Sequence, residues 1–301
     1  MYLTALPDHS QPGFDEKRHF SMFGNTNIIF NATSSQSRCD NHVGCLSIKT
    51  VLTGEEWYGI NGTNVAVRPG TFLLLNDGQN YSCRINDNHV RTVSVFFARD
   101  FAASVLRDSS NDLETVIDNP LEVDKALPEF FQTLHPLDHD MNQRLLSLIN
   151  SVNALGYDHN MVDEHLIFLL HDLLSVHRKD IAASKRIHGI RSSTQKEIFK
   201  RVCIARDLLH SFHYENPRLK WIASASSLSV PQLVRQFKAS FGVTPHRYLM
   251  TMRLENAGNM LRDTNLPVTE VASHCGFEDA SVFARAFKGR FGLSPVAYRV
   301  K

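Results

Sequence analysis

Two arginines, Arg235 and Arg285, occupy equivalent places in a segment that the chain carries twice. The segment LVRQFKASFGVTPHRY (233–248) aligns without a gap with FARAFKGRFGLSPVAY (283–298), and seven positions are identical. A guanidinium group on a helix can donate two hydrogen bonds to O6 and N7 of a guanine in the major groove of DNA. The alternative for each arginine is an ion pair on the protein surface. The repetition favours contact with base edges.

Each copy of the segment predicts the second helix of a helix-turn-helix motif, with one buried and one exposed face. The buried faces are predicted from apolar residues at i, i+4 and i+8, namely Leu233, Phe237 and Phe241 in the first copy and Phe283, Phe287 and Phe291 in the second. Ser229 and Asp279 are the expected N-caps of these helices. Ser227 and Gly276 fall in the preceding turns, where a positive φ is expected.

The stretch between the two copies, residues 244–265, has apolar residues suited to one long amphipathic helix. Such a helix would be a rigid spacer. If it holds the two recognition helices about one DNA turn apart, roughly 34 Å, one chain reads two successive faces of the major groove. The predicted DNA site is then directional rather than palindromic.

The charge of the chain is divided along its length. Residues 1–194 hold 16 Lys and Arg against 23 Asp and Glu, whereas residues 195–301 hold 16 against 8. An excess of positive charge is expected of a domain that neutralises phosphates, although solvated basic faces are also common. The 43% hydrophobic and 21% charged fractions indicate a globular protein and exclude a disordered or collagen-like chain.

Other composition signals indicate the compartment. No apolar run approaches the roughly 18–20 residues of a membrane helix, and residues 1–10 do not resemble a signal peptide. The five cysteines are odd in number and scattered, which favours free thiols in a reducing compartment. We therefore expect an intracellular protein without a membrane partner.

The first part of the chain predicts strands followed by helices. Short β-rich runs at 45–52, 71–76 and 91–97 are separated by turn signals, which is typical of an antiparallel barrel or sandwich. Helical patterns follow after residue 100. In the pattern at 161–177, an apolar stripe predicts either a dimer interface or packing on the barrel. The stripe residues assigned to dimerisation are Leu166, Leu169, Leu170 and Leu173.

Residues 196–301 resemble the DNA-binding domain of the AraC/XylS family of bacterial transcription regulators. The resemblance is carried by IASASSLSVPQLVRQFKASFGVTPHRYL and by RLENAGNMLRDTNLPVTEVASHCGFEDASVFARAFKGRFGLSPVAYR. It implies two helix-turn-helix motifs joined by a long helix. It also implies base contacts from Pro231, Gln232, Val234, Arg235, Ala280, Ser281, Ala284 and Arg285. Ser229, Lys238 and Lys288 are assigned to phosphates, with a solvated surface as the alternative for the two lysines.

Some of these positions depart from the family pattern. Members of the family often have long amides or charged side chains where this chain has Pro231, Val234, Ala280 and Ala284. Fewer direct hydrogen bonds to bases follow. We therefore expect recognition to depend on the two arginines, on contacts with thymine methyl groups and on DNA shape.

The stretch VRPGTFLLLNDGQNYS (67–82) resembles the second half of the cupin-like sensor barrel that precedes this DNA-binding domain in many family members. Tyr81 stands where a metal cupin has a late His, and the HxH pair with its Glu is missing, so we expect no metal and no cofactor. Trp57, Tyr58 and Tyr81 are the candidates for an effector pocket, with barrel core as their alternative. The resemblance also implies small organic effectors, a homodimer and RNA polymerase as a partner.

Together these observations predict an α+β chain with an N-terminal cupin-like antiparallel β-barrel and a C-terminal all-α domain. The predicted boundaries are 1–178 for the sensor domain (barrel 20–100, helices 101–178), 179–195 for a linker and 196–301 for the DNA-binding domain. The predicted function is sequence-specific regulation of transcription in the cytoplasm, controlled by a small effector. Activation and repression both stay open.

Two alternative functions remain. The first is a regulator that has no small-molecule effector and is controlled by a protein partner. The second is an enzyme fused to the DNA-binding module, such as a DNA alkyl-repair protein with a nucleophilic cysteine. The flanking sequences of Cys39 and Cys45 lack the basic and His residues that such a nucleophile needs, so we do not expect an enzyme.

Overall fold

The computed structural model describes residues 1–7, 23–86, 89–108, 127–187 and 191–299. The chain divides into two compact units, Met1–Ala182 and Ala183–Lys301. Strands dominate the first unit and helices make up the second. This is the predicted α+β arrangement of an N-terminal sheet domain and a C-terminal helical domain.

The described part of the first unit contains two sheets. Its strands are β1 (Tyr2–Leu3), β2 (Ile28–Ser34), β3 (Ser37–Val43), β4 (Ser47–Thr53), β5 (Glu56–Ile60), β6 (Thr63–Val67), β7 (Thr71–Leu75), β8 (Asn80–Ile85), β9 (Val90–Phe96) and β10 (Leu134–Pro136). Six form a sheet in the order β1-β2-β9-β4-β7-β10, and four form a sheet in the order β3-β8-β5-β6. The described pairings are antiparallel, apart from the short parallel pair β1–β2.

The β5–β6 hairpin shows how local sequence sets the strand register. Asn61 and Gly62 form its two-residue turn with φ angles of 50° and 78°. Two positive φ angles define the turn whose twist matches that of the flanking strands, and Asn-Gly adopts it at low cost. The register that follows pairs Tyr58 with Val65 and Glu56 with Val67. Strands β4, β7 and β9 confirm the three predicted β-rich runs.

The six-stranded sheet is buried on both faces. One face packs against the four-stranded sheet through a cluster that includes Tyr58, Leu73 and Leu75. The other face carries Ile48 and Val95 into a larger cluster with the helices of this unit. These helices are α1 (Arg99–Asp108), α2 (His139–Leu155) and α3 (His159–Ser184).

The position of α3 decides between the two interpretations of its apolar stripe. Leu166, Leu169, Leu170 and Leu173 are each 0% exposed within their own chain, in the cluster that covers the six-stranded sheet. A side chain that is already fully enclosed has no surface to offer to a second copy. The prediction that these four leucines form a dimer interface is therefore wrong. They are core residues, because the apolar outer face of the sheet must itself be covered.

Helix α3 is also longer than the predicted pattern. It continues to Ser184, and the next helix begins at Ser192, so residues 179–184 and 192–195 of the predicted linker are helical. Asp180 is only 7% exposed, and one of its carboxylate oxygens lies 3.7 Å from Nε2 of the buried His135 on β10. This polar contact joins the added turns of the helix to the sheet. Sequence periodicity missed them because the contact joins residues far apart in the chain.

The second unit contains seven described helices. They are α4 (Ser192–Ser211), α5 (Leu219–Ala225), α6 (Val230–Phe241), α7 (Pro245–Asp263), α8 (Val268–His274), α9 (Ala280–Phe291) and α10 (Pro295–Arg299). Helices α5 and α6 form the first helix-turn-helix motif, and α8 and α9 form the second. Ser229 and Asp279 cap α6 and α9 as predicted, with side-chain oxygens that accept hydrogen bonds from backbone N–H groups of the first turn.

Helix α7 joins two separate cores. Leu249, near its N-terminus, packs with Leu233 and Phe237 of the first motif, and Leu261, near its C-terminus, packs with Phe283 and Phe287 of the second. At 1.5 Å per residue its 19 residues span roughly 28 Å. The predicted spacer helix is thus confirmed, and both of its ends are fixed by burial. The separation of the recognition helices on DNA remains a prediction.

The turns inside the two motifs both contain a residue with a positive φ, but the residue types differ. Ser227 has a φ of 54° and Gly276 a φ of 78°, as the sequence predicts for these positions. A Cβ at Gly276 would lie 2.9 Å from the carbonyl oxygen of His213 and 2.8 Å from the guanidinium of the buried Arg253. Arg253 itself donates a 2.6 Å hydrogen bond from Nε to that carbonyl. Only glycine fits there without moving these groups.

We expect opposite stability effects at the two turns. Gly276→Ala should lower the free energy of unfolding by about 2 kcal/mol or more, because it combines a positive φ with a steric clash. Ser227→Gly should raise it by about 0.5–1 kcal/mol, because it relieves a left-handed serine. Thermal unfolding of the full chain by calorimetry tests both changes. Stability changes of the same sign in the two variants would contradict this account of the turns.

Candidate functional site

The exposed face of α6 carries the residues predicted to contact DNA from the first motif. Pro231, Gln232 and Arg235 are exposed, and Val234 is half-buried. The opposite face is fixed in the core by Leu233 and Phe237, which are both 0% exposed. The predicted division of this helix into a packing face and a free face is therefore what the structure shows.

The N-terminus of α6 is closed by a reciprocal pair of hydrogen bonds. The Ser229 hydroxyl oxygen accepts from the Gln232 backbone N–H at 3.4 Å, and the Gln232 carboxamide oxygen accepts from the Ser229 backbone N–H at 3.0 Å. This capping box leaves the side-chain NH2 of Gln232 and the hydroxyl hydrogen of Ser229 as donors towards solvent. Both groups can still donate to a base edge or a phosphate.

Helix α9 presents the equivalent face of the second motif. Ala280, Ser281 and Arg285 are exposed, and Ala284 is half-buried. The structure adds Val282, which is 46% exposed in the first turn of the helix and which sequence analysis did not single out. Its β-branched side chain can contact a thymine methyl group. Its position in the sequence, between the predicted base contact Ser281 and the predicted core residue Phe283, could have identified it.

Asp279 keeps its negative charge at the start of α9. Hydrogen bonds from the backbone N–H groups of Val282 and Ser281 hold the pKa of Asp279 below its usual value. This cap therefore accepts hydrogen bonds from two N–H groups that have no partner inside the helix. A nucleic acid meets the side chains of the first turn rather than these backbone amides.

Arg235 and Arg285 differ from other arginines of the second unit. Within the described residues, neither takes part in a hydrogen bond or an ion pair with the protein. Arg290, on the same helix as Arg285, instead donates to a carboxylate oxygen of Glu255 at 2.9 Å. Among the described residues neither arginine forms the salt bridge that was its alternative, although the charge of Arg285 helps to lower the pKa of Asp279. Lys238 and Lys288 are likewise exposed, one turn further along each helix.

The first unit contains a cavity between its two sheets. Its free volume is about 50 Å³. Aromatic side chains of Phe23, Phe30, Phe96, Tyr58 and Tyr81 line it together with the polar groups of Lys49, Glu56, Ser94 and Cys39. The predicted pocket residues Tyr58 and Tyr81 are thus in one place, 6.0 Å apart between ring centres.

Trp57 is not part of this cavity, which corrects the predicted grouping of three aromatic residues. Adjacent residues on a strand point to opposite faces, so Tyr58 on β5 faces inward and Trp57 faces outward. Trp57 donates a 2.8 Å hydrogen bond from Nε1 to Glu55 and lies beside Arg84 in an open groove on the outer face of the four-stranded sheet.

Lys49 is the functional candidate that sequence analysis missed. It lies on β4, is 2% exposed, and its ammonium is 3.2 Å from the centre of the Phe96 ring and 5.4 Å from that of Tyr81. Within the described residues it forms no hydrogen bond or salt bridge. The run SIKTVLT gave one signal: a lysine stands within a short β-rich run, next to the apolar Ile48.

Burial controls the charges in the cavity. It lowers the pKa of Lys49 to about 8, against a partial opposing effect of Cys83 and Glu56. Burial raises the pKa of Glu56, whose carboxylate accepts a 2.7 Å hydrogen bond from the Thr92 hydroxyl. Burial also raises the pKa of the nearby Cys45 thiol to about 11. Lys49 remains mostly protonated near neutral pH, so the cavity holds a cation.

Two further observations concern the described residues. They contain no group of three or more His, Cys, Asp or Glu side chains placed to hold a metal ion. None of their helices combines the length and apolar character needed to cross a membrane.

Comparison with known families finds two matching models that together cover both units. Residues 222–301 match a model described as a helix-turn-helix domain. Residues 39–150 match a model described as an AraC-like ligand binding domain. The first range includes both recognition helices, and the second includes Lys49 and the cavity strands.

Individual proteins are similar to this chain over part or most of its length. The HTH-type transcriptional activator RhaS from Escherichia coli O157:H7 is 33% identical over 129 residues, which are 41% of this chain and 46% of RhaS, so the match spans less than half of that relative. RhaS from Shigella dysenteriae serotype 1 is 25% identical over 281 residues, covering 90% of this chain and 91% of RhaS. Among solved structures, apo ToxT from Vibrio cholerae strain SCE256 is 14% identical with a TM-score of 0.37, covering 92% of this chain and 98% of ToxT.

Replacing Lys49 by Met should stabilise the protein near neutral pH. The pKa of Lys49 is about 8 when folded and 10.5 in the reference state, so the unfolded chain binds this proton more tightly. The difference costs the folded state up to about 3 kcal/mol below pH 8 and disappears as pH rises towards 10.5. We therefore expect Lys49→Met to raise the free energy of unfolding near pH 7 and to lose this advantage as pH increases.

The measurement is chemical denaturation of wild type and variant at a series of pH values across this window. Lys179→Met is the matched control, because Lys179 is exposed on α3 and carries the same charge change. The control should change stability by less than about 0.5 kcal/mol. A Lys49→Met protein that is less stable than wild type near neutral pH would contradict the cost of this buried ammonium.

Proposed function

This chain belongs to the AraC/XylS family of transcription regulators, and we propose that it regulates transcription by binding a directional DNA site under the control of a small organic ligand. The observation that carries the proposal is a pair of exposed arginines on two equivalent recognition helices, neither of which forms a hydrogen bond or a salt bridge with the described residues. Each is held in place by a fully buried face of its own helix.

The geometry of the second unit supports binding to duplex DNA by both motifs of one chain. Helices α6 and α9 each combine an arginine suited to guanine, small apolar side chains suited to thymine methyl groups and a lysine suited to phosphate. Helix α7 is fixed in both cores and cannot reorient one motif without disturbing its packing. Two different recognition surfaces in fixed order favour a site without internal symmetry.

The proposed base contacts are Pro231, Gln232, Val234 and Arg235 in the first motif and Ala280, Ser281, Ala284 and Arg285 in the second. Val282 joins this set because of its exposure. Ser229, Lys238 and Lys288 are proposed to contact phosphates. Phosphate contacts fix the register of the protein on DNA, and the base contacts supply sequence preference.

Control by a ligand is proposed from the cavity of the first unit. Tyr58 and Tyr81 line this cavity and are the proposed effector-binding residues. Trp57, which was predicted with them, is no longer part of this set. A ligand that binds one state of a regulator more tightly shifts DNA affinity by a coupling free energy of typically about 1–3 kcal/mol. A homodimer, contact with RNA polymerase and a cytoplasmic location are part of the proposal and rest on family membership.

We do not assign catalysis to this chain. The nucleophilic cysteine of the alternative enzyme would need a thiolate near neutral pH. Burial raises the pKa of Cys45 to about 11, and the pKa of Cys83 is also raised. Cys39 is buried against Cys83 on the neighbouring strand. These environments oppose ionisation and favour the regulator over the enzyme.

Selection of bound sequences from random duplex DNA tests the proposed function. We expect the full-length protein to enrich an asymmetric site that spans about two helical turns. Binding without an enriched site, at a salt dependence typical of phosphate contacts alone, would contradict sequence-specific regulation by the free protein. A symmetric site with two identical halves would contradict the directional arrangement.

Replacing Arg285 by Ala should relax sequence preference at one base pair. Loss of a bidentate contact with guanine costs about 1–3 kcal/mol of discrimination. Arg290→Ala is the matched control, because it removes the same charge from the same helix, where Arg290 is engaged with Glu255 and with the Phe291 ring. Binding is measured by fluorescence anisotropy on the selected site and on single-base variants. Equal weakening on every sequence would make Arg285 a phosphate contact.

Arg235→Ala should act in the same way at a different base pair.

Replacing Lys238 or Lys288 by Ala should weaken binding to all sequences alike. A phosphate contact releases about one counterion, so the slope of log affinity against log salt should become less steep by about 1. The same anisotropy assay at several salt concentrations measures it. An unchanged slope would place these lysines on a solvated surface away from DNA.

A further inference from the structure

The cavity of the first unit contains a buried cation, Lys49, that forms no salt bridge with the described residues. Lys49 is 2% exposed and lines the cavity, and within the described residues no acceptor forms a hydrogen bond or salt bridge with its ammonium. The Phe96 ring, 3.2 Å away at its centre, supplies the closest electrostatic contact. Buried ammonium groups are normally paired, because removing one from water is costly.

The nearest carboxyl group is engaged elsewhere. Glu56 accepts the hydroxyl hydrogen of Thr92 at 2.7 Å, and it forms no salt bridge with Lys49 among the described residues. A second donor lies beside Lys49 instead. Ser94 is its directly paired neighbour on β9 and lines the same cavity. An ammonium and a hydroxyl on adjacent strands of one sheet face form a pair of donors for an anionic oxygen.

The remaining walls limit the charge and polarity of an occupant. Phe30, Phe96 and Phe23 enclose the cavity on the side of the six-stranded sheet, with ring centres of Phe23 and Phe96 4.6 Å apart. A single ammonium can pair with one negative charge rather than with two. The chemistry fits a monocarboxylate whose other end is apolar.

The volume limits the size. About 50 Å³ of free space corresponds to roughly three to five water-sized positions, far below the roughly 300–1,000 Å³ of pockets for drug-sized ligands. A carboxylate with about four to six non-hydrogen atoms fills that space. Acetate, propanoate and pyruvate lie in this range.

We infer that the effector of this regulator is a short-chain monocarboxylate, bound with its carboxylate on Lys49 and Ser94 and its apolar end against Phe30 and Phe96. The regulatory role of this ligand rests on the proposed function, to which the ligand class is added here. It also explains why a position that opposes folding carries lysine. The ammonium is unpaired until the ligand supplies its counter-ion.

The test compares an anionic probe with a neutral one in which an NH2 group replaces one carboxylate oxygen. Propanoate and propanamide have nearly the same shape, and thermal unfolding of the full chain is followed against each at matched ionic strength. Propanoate should bind about 10- to 100-fold more tightly than propanamide, the factor that a charge-assisted hydrogen bond supplies. Equal shifts with both probes, or no shift with acetate, propanoate and pyruvate, would overturn the inference.

The position of the ligand is tested by variants and by spectroscopy. Lys49→Met should weaken propanoate binding at least about tenfold, and Lys179→Met should leave it unchanged. In wild type labelled with carbon-13 at the lysine side chains, propanoate should move the Lys49 resonance selectively. This second measurement does not depend on a variant that folds. Retained binding in Lys49→Met, or an unmoved Lys49 resonance at saturation, would overturn the assignment.

DNA binding is measured separately to distinguish the two failures. If wild type binds its selected DNA site but no carboxylate, the inference fails and the proposed regulator stands. If wild type binds propanoate but enriches no DNA site with or without it, the ligand site stands and the proposed function fails. A change of DNA affinity by about 5- to 150-fold on adding propanoate would support both.

Discussion

Successive side chains of a β-strand point to opposite faces of its sheet, and in this protein both faces of the six-stranded sheet are covered. Strand β4 shows the consequence within two residues. Ile48 joins the core beneath the helices, whereas Lys49 enters the cavity between the sheets. The same alternation on β5 sends Tyr58 inward and Trp57 outward. The composition of the cavity, its single cation included, follows from this constraint and from the register of the strands.

Covering the outer face of that sheet also determines what the helices can do. The four leucines of α3 are used completely inside the domain, so an apolar stripe of this width served internal packing rather than association. Polar groups take part as well, since Asp180 on α3 approaches the buried His135 on β10. The first unit is thus a three-layer structure in which the middle sheet lies between the cavity on one side and the helices on the other.

The DNA-binding unit depends on a different device, a repeat with two separate cores and one shared helix. Each core buries one face of a recognition helix, which leaves an arginine and a lysine exposed on the other. Helix α7 belongs to both cores, and the contact of Arg253 with His213 next to the turn at Gly276 adds a polar connection between the motifs. The exposed arginines are oriented by apolar burial on the opposite side of their helices, without ion pairs of their own.

The sequence by itself determined the caps, the positive-φ turns and the two faces of each recognition helix, because these depend on patterns within about twenty residues. The class of fold and the two motifs followed from the repeat of 233–248 at 283–298 and from the family resemblance. Ser229, Gly276 and Phe237 have roles that spacing alone reveals. Only the tertiary structure decided that Leu166 is core, that Trp57 leaves the pocket, that residues 179–184 are helical and that Lys49 is buried. Each of these depends on contact with a strand or helix distant in the chain, and a residue's environment there is set by packing rather than by its neighbours in sequence.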